Sequence, residues 1–393
     1  MTLTPAQRRA RLGHRHLLVP AARAGTSEEV AHALLGLHAT DSATVALSAY
    51  ARLADPRLAD LERALYEDGT LLRMHCMRRT LFAVPTTLVP VLHHSTTRKV
   101  AARERAGLLK LLATAEPPLD AAWLARAEEE ALAVLRRLGE AGASEITDHA
   151  PLLQQKLVLA PGKRYQATQR AGGWVLRLLA MDGRVRRGRP LGGWTSGRFR
   201  YREAPPMPDA DPEAARAEVV RRWLRSYGPG TTDDVKWWTG WTVTETRRAL
   251  GAAGAVAVDL AEGPGWVLPD DLAEASGERT EGEDWVALLP GLDPTTMGWR
   301  HRDWYLDPAH RAGLFDTNGN AGPTVWRNGE IIGGWACRPD GEIVWRLLTD
   351  RGAAARVAVA AEAARLQEWL GENRFAPAFP TPLATELVRG ERG

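Results

Sequence analysis

The sequence predicts a mainly α protein with small β wings (α+β), built as three tandem winged-helix modules followed by a β-rich C-terminal module. Three observations lead there. The stretch 170–202 reads as a helix over Trp174 to Ala180, a glycine turn at Gly183 and two basic strands joined by a tip at Gly192-Gly193, which is how a winged-helix module ends. Helices closed by a β-like run occur again before and after that stretch. From Asp284 the composition turns to tryptophan, glycine and short β-like runs, with Asn328-Gly329 and Asp340-Gly341 as hairpin turns.

Residues 1–115 form the first module and its connector. After a basic arm, Thr26 as N-cap with Glu28 and Glu29 in the first turn starts one helix. The chain breaks at Gly36, a second helix starts near Asp41 or Ser42, and a third, ADLERALYEDG, ends at Gly69. The run TLLRMHCMRRTLFAVP is the first wing. A helical connector then extends from about Leu88 to Leu112, and Pro117-Pro118 ends it.

Residues 116–204 are the second module. Its first helix, AAWLARAEEEALAVLRRLGEAG, has apolar residues at helical spacing; a second starts at Ser144, and the helix and wing of 170–202 follow. The proline-rich stretch 202–214 is a linker into the third module, residues 205–283. There EAARAEVVRRWLRSYG, TTDDVKWWTG and TVTETRRALGAAG are helices, with Thr242 and Glu245 matching a capping box, and AVAVDL and GWVLP make the wing. Trp237, Trp238 and Trp241 fall at helical spacing and read as core.

Residues 284–393 hold three or more antiparallel strands and a final amphipathic helix. Within them Asp316-Thr317-Asn318-Gly319-Asn320 opens like a calcium loop. Glycine falls at the fourth position and Arg327 at the twelfth, so a turn held by asparagine side chains is expected instead.

A chain of 393 residues, 45% hydrophobic, has room for two to four globular modules. The formal net charge of +3 is small, so a nucleic-acid surface has to come from clustering. Between Met181 and Arg202, seven arginines stand against one carboxylate, Asp182, which is the signature of a phosphate-binding surface. Cys76 and Cys337 lie far apart, without a CxxC or a histidine set, which argues against a disulfide framework and a structural zinc site and for a reducing cytoplasm. No apolar run approaches the roughly 18 residues that span a bilayer. The reading is a cytoplasmic monomer with no membrane, metal or cofactor requirement.

The segments GLHATDSATVALSAYARL, HCMRRTLFAVP, RRGRPLGGWTSGRFRY, RSYGPGTTDDVKWWTGWT and LLPGLDPTTMGWRHRDWYLDPAHRAGLFDTNGNAGPTVWRNGEIIGGW resemble, in order, segments of the AlkZ-like tandem winged-helix DNA glycosylases. The resemblance implies three winged helices in a C shape holding double-stranded DNA. It also implies monofunctional removal of alkylated purines, with resistance enzymes and enzymes that unhook interstrand crosslinks among the members. The family's catalytic motif is glutamine, an aliphatic residue, then glutamine or aspartate, directly after a glycine-leucine pair. Here His38, Ala39 and Thr40 follow Gly36-Leu37, so the place of the site is kept and its chemistry is changed.

Removing a cationic alkylpurine requires a held lesion, stabilised charge on an oxocarbenium-like sugar and a water placed against C1′. A neutral imidazole at His38 accepts a proton near neutral pH, and the Thr40 hydroxyl holds the same water. Asp41 is the nearby carboxylate, available to orient His38 or supply negative charge. All three also read as caps of the following helix. On the DNA-binding side, Arg184, Arg186, Arg187, Arg189, Arg198 and Arg200 read as phosphate contacts, Trp194 as a wedge or stacking platform, His75 and Arg78 as DNA-binding residues that face the His38 cleft, and Arg79 as a further DNA-binding residue. The competing reading is a non-catalytic winged-helix regulator or lesion sensor.

Overall fold

The computed structural model describes residues 1–276 and 284–390. Three units repeat one order of elements: a helix, a two-residue strand, two helices and a hairpin. The first has helices Ser27–Ala33, Ser42–Tyr50 and Leu58–Tyr66, short strand Leu37–His38, and hairpin Leu71–His75 with Leu81–Pro85. The second has helices Ala121–Leu138, Ala143–His149 and Gly172–Met181, strand Ala141–Gly142, and hairpin Val185–Pro190 with Phe199–Glu203. The third has Pro212–Tyr227, Thr232–Thr239 and Val243–Ala252, strand Gly230–Thr231, and hairpin Val256–Leu260 with Gly263–Val267. In every one of these sheets the short strand pairs with the last strand of the hairpin.

Local chemistry sets most of these boundaries. Thr26 with Glu29, Thr231 with Asp234, and Thr242 with Glu245 form reciprocal capping boxes that satisfy the first amides of their helices. The first wing reverses at Met77–Arg79, where Arg78 and Arg79 take φ of 54° and 67°. The expected calcium-like loop is a turn, held by the Asp316 carboxylate, which accepts from the Asn318 and Asn320 amides, with Asn320 Nδ2 adding a further bond.

Three features depart from the expected order, the first being helix Pro382–Arg389, which follows the helix expected to be final. A further hairpin, Lys156–Leu159 with Ala167–Arg170, lies between the second and third helices of the second unit, on a stretch without clear apolar alternation. The basic arm is a helix, Pro5–Arg15, and it packs against the third unit rather than the first. Its arginines find carboxylates there: Arg8 pairs with Glu262, and Arg15 Nη2 lies 2.6 Å from Asp271 Oδ1. Leu3 joins Val258, Leu260 and Val267 in a small cluster.

The C-terminal part is a four-stranded antiparallel meander of Val286–Leu289, Thr324–Arg327, Glu330–Cys337 and Ile343–Leu347, packed by helices Gly352–Leu370 and Pro382–Arg389. The first unit, the third unit and this meander share apolar cores, whereas the second unit and the connector helix Arg98–Leu112 build their own. A fully buried pair anchors helix Ser42–Tyr50 to the loop after the first meander strand. Arg52 Nη2 is 2.7 Å from Asp293 Oδ1 and Nη1 is 2.9 Å from Oδ2, with Ser48 Oγ donating to the same carboxylate at 2.7 Å. A bidentate pair with further hydrogen bonds is the arrangement that tolerates such burial.

Candidate active site

His38 belongs to the short strand of the first unit. Gly36 turns the chain into that strand at φ +107°, and a Cβ there would come within 2.8 Å of Val84 Cγ1, so a glycine is required. Leu37 then pairs with Ala83 and His38 with Phe82. The Ala39 amide donates to the Leu81 carbonyl at 2.7 Å, and the Leu81 amide donates back to Thr40 Oγ1 at 3.3 Å. Asp41 ends the segment as N-cap: Oδ1 accepts from the Ala43 amide at 2.9 Å and Oδ2 from the Ala378 amide at 2.8 Å. Both carboxylate oxygens therefore serve backbone amides, and neither is hydrogen-bonded to His38.

The His38 ring is 3% exposed and sits 4.9 Å from the Phe82 ring. Burial, assisted by the positive field of Arg78, pulls its pKa down to about 3, so the imidazole is neutral at physiological pH. Nδ1 accepts a long hydrogen bond from the Thr40 amide at 3.4 Å, which leaves the proton on Nε2. His38 thus presents a donor. Thr40 is exposed, with one lone pair committed to Leu81 and its hydroxyl proton free to turn outward.

Aromatic and cationic side chains border this strand. Phe82 lies 6.4 Å from Trp238. The Arg78 guanidinium stands 3.9 Å from the Trp237 ring centre, and Arg302 stands 5.1 Å from the same ring and 4.6 Å from Phe315. Trp238 and Trp241 are core, as their spacing suggests, but Trp237 is half-buried and carries these two cations. Sequence reasoning missed Arg302 altogether; nothing local separates it from neighbouring Arg300.

Residues 31–369 match the family model described as DNA glycosylase AlkZ-like. The chain belongs to the AlkZ-like DNA glycosylase family. An interstrand DNA cross-link repair glycosylase of Streptomyces sahachiroi is 27% identical over 171 residues, which span 42% of this chain and 45% of that relative. The solved structure of the Streptomyces sahachiroi DNA glycosylase AlkZ superimposes with a TM-score of 0.72 at 21% identity, over 95% of this chain and 99% of that one. The fold is shared along nearly the whole length.

The other residues singled out in this AlkZ-like chain fall into distinct places. Arg198 and Arg200 are exposed, with no carboxylate in ion-pair range among the described residues. Arg187 lies over Phe199 at 4.9 Å, and Arg186 lines an apolar cavity of about 190 Å³ between the first wing and the proline linker. Arg184 faces Glu128 and Glu129 at 3.5 Å, and Arg79 faces Glu104 at 3.2 Å. Arg189 clamps the second wing to the first unit, 2.8 Å from Glu62 and 2.9 Å from Glu67.

Two expectations are corrected. Trp194 is no exposed wedge: it is 7% exposed, its Nε1 donates to Asn373 Oδ1 at 3.2 Å, and its ring meets Trp369 at 5.9 Å. An apolar indole next to a helix end is better buried than offered to solvent. His75 does not share the His38 side of the first unit's sheet; it pairs with Leu81, one row on, and is buried on the far face, whereas Arg78 reaches the His38 side from the turn.

Proposed function

We propose that this protein is a monofunctional DNA glycosylase that hydrolyses the N-glycosidic bond of alkylated purine nucleotides, N7 or N3 adducts, with bulky adducts and interstrand crosslinks within its range. In this reading the three units act as tandem winged helices around duplex DNA in a C shape. The observation that supports it is the run His38-Ala39-Thr40, which leaves the short strand Leu37–His38 directly after Gly36-Leu37, the place that the resemblance gives to the family's catalytic motif, with His38 buried and Thr40 exposed. The crosslink-repair activity named for the Streptomyces sahachiroi relative supports the wider range.

The chemistry asks little of a base. An N7- or N3-alkylated purine is cationic, so the electron pair of the C1′–N bond leaves with it as a neutral base, and an oxocarbenium-like sugar remains. Water adds to C1′ and its proton passes to solvent. Thr40 Oγ1, one lone pair bound by the Leu81 amide, accepts from that water and turns the water's oxygen toward C1′. With its pKa near 3, His38 contributes as a neutral Nε2–H donor that positions the water or a sugar oxygen, not as a general base. The residues gathered at the site offer a hydroxyl and an imidazole but no amine, which suits hydrolysis rather than strand cleavage through an imine.

The test is duplex DNA carrying N7-methylguanine, incubated with the protein and treated with alkali to cleave abasic sites. Strand breaks that depend on the protein are expected, and a Thr40→Ala variant slowed by about tenfold or more. A second reading, a non-catalytic lesion sensor, is favoured by the commitment of both Asp41 oxygens to backbone amides, which leaves the nearest carboxylate in sequence turned away from His38. Duplex binding without strand breaks on small or bulky lesions would select it.

A further inference from the structure

Arg78 and Arg302 share the Trp237 indole, at 3.9 and 5.1 Å from its centre. Arg302 is 8% exposed, with its Nη2 3.9 Å from Met297 Sδ and the Tyr305 hydroxyl beside it. Nε of each arginine is buried without a hydrogen-bond partner. Neither Arg302, which is buried, nor Arg78, which is half-buried, has a carboxylate in ion-pair range among the described residues, whereas buried Arg8 and Arg52 are paired with Glu262 and Asp293. Burial and then the charge of Arg302 bring Arg78 down to about 10. A buried cation without a counter-ion is costly, and two in each other's field more so. Stacking on an indole leaves the N–H edges of a guanidinium free for a bidentate oxyanion.

We infer that Arg78 and Arg302 form one seat for a phosphodiester of the DNA strand that carries the target nucleotide, beside His38 and backed by Trp237. The inference rests on the reading that this face takes DNA, and adds to it Arg302, Trp237 and a single shared phosphate. The seat also accounts for the missing counter-ions: a phosphate there cancels the positive field at His38 that would otherwise oppose a cationic purine.

The experiment is the salt dependence of binding of the full chain to an undamaged duplex and to one carrying a tetrahydrofuran abasic-site analogue. Arg302→Gln and Arg78→Gln should each lower the slope of log affinity against log salt on the abasic-analogue duplex by a fraction of one, and the double variant by about one in total, because both engage the same phosphate. Arg302→Lys should keep the wild-type slope. Arg302→Met should melt at or above the wild-type temperature, since it removes an unpaired buried charge. Unchanged slopes, a drop of about two in the double variant, or a lower melting temperature for Arg302→Met would each overturn the seat. A wild-type protein that binds neither duplex would overturn the DNA reading itself.

Discussion

His38 and His75 stand on opposite faces of one three-stranded sheet. Phe82 is flanked by His38 on one strand and Met74 on the other, while His75 lies across from Leu81. Because side chains alternate along a strand, the row through Phe82 points one way and the row through Leu81 the other. The two imidazoles are separate in place but alike in state: burial, followed by neighbouring arginines, pushes each down to about 3.

That state has a pH signature. A histidine depressed from an unfolded value near 6.5 is neutral in the fold, so its contribution is complete above pH 6.5 and is lost as pH falls from there toward 3, by up to about 1.4 kcal/mol per pH unit for each ring. Urea midpoints should drop steeply between pH 6 and 4, and less steeply in His75→Gln. Base excision should show no inflection near 6.5 from His38. An unchanged pH slope of stability in His75→Gln would contradict the assignment.

Asp41 is expected to matter for stability more than for chemistry. Asp41→Ala removes a helix cap and the tie to Ala378, a cost of about 1–3 kcal/mol in chemical denaturation. Asp41→Asn keeps an oxygen for the cap, and its single-turnover excision rate should stay within a few-fold of wild type. A hundredfold slower rate in that variant would place the carboxylate in the mechanism after all.

Trp194→Ala should destabilise by roughly 3–5 kcal/mol, as truncations of buried aromatics do. Trp194→Phe, which keeps most of the packing and gives up the Asn373 bond, should cost about 1 kcal/mol and bind duplex DNA with unchanged affinity. Weakened DNA binding by a normally folded Trp194→Phe would restore the wedge reading.

The second wing divides into free and committed arginines. Replacing exposed Arg198 and Arg200 with glutamine should reduce the salt slope of DNA binding by up to about two, one for each phosphate no longer neutralised. Arg189→Gln, which breaks the ion pairs with Glu62 and Glu67, should leave that slope near wild type. Equal effects from both would mean that Arg189 leaves its carboxylates when DNA binds.

Much of the local architecture is legible in the sequence because its causes lie within four residues. Thr26 with Glu29 and Thr242 with Glu245 announce helix starts, Asn328-Gly329 closes a hairpin at φ of 50° and 85°, and Gly183 turns the second unit into its wing at φ +74°. The hairpin at 156–170 is not legible, because KLVL and ATQR lack the alternation of a half-buried strand. His75 reads as a neighbour of His38 because the β-like run, undivided, shows no face; the register with Phe82 assigns one.

The sequence by itself determined the three repeated units, the meander, and the position of His38-Ala39-Thr40 after a glycine that its surroundings demand. Only the tertiary structure decided that Arg302 joins Arg78 on Trp237, that Trp194 closes against Asn373 and Trp369, and that the N-terminal helix belongs with the third unit. Caps, turns and periodicity are written between near neighbours. Burial, ion pairing and the field at a site depend on which distant segments meet, and that is set by packing the whole chain at once.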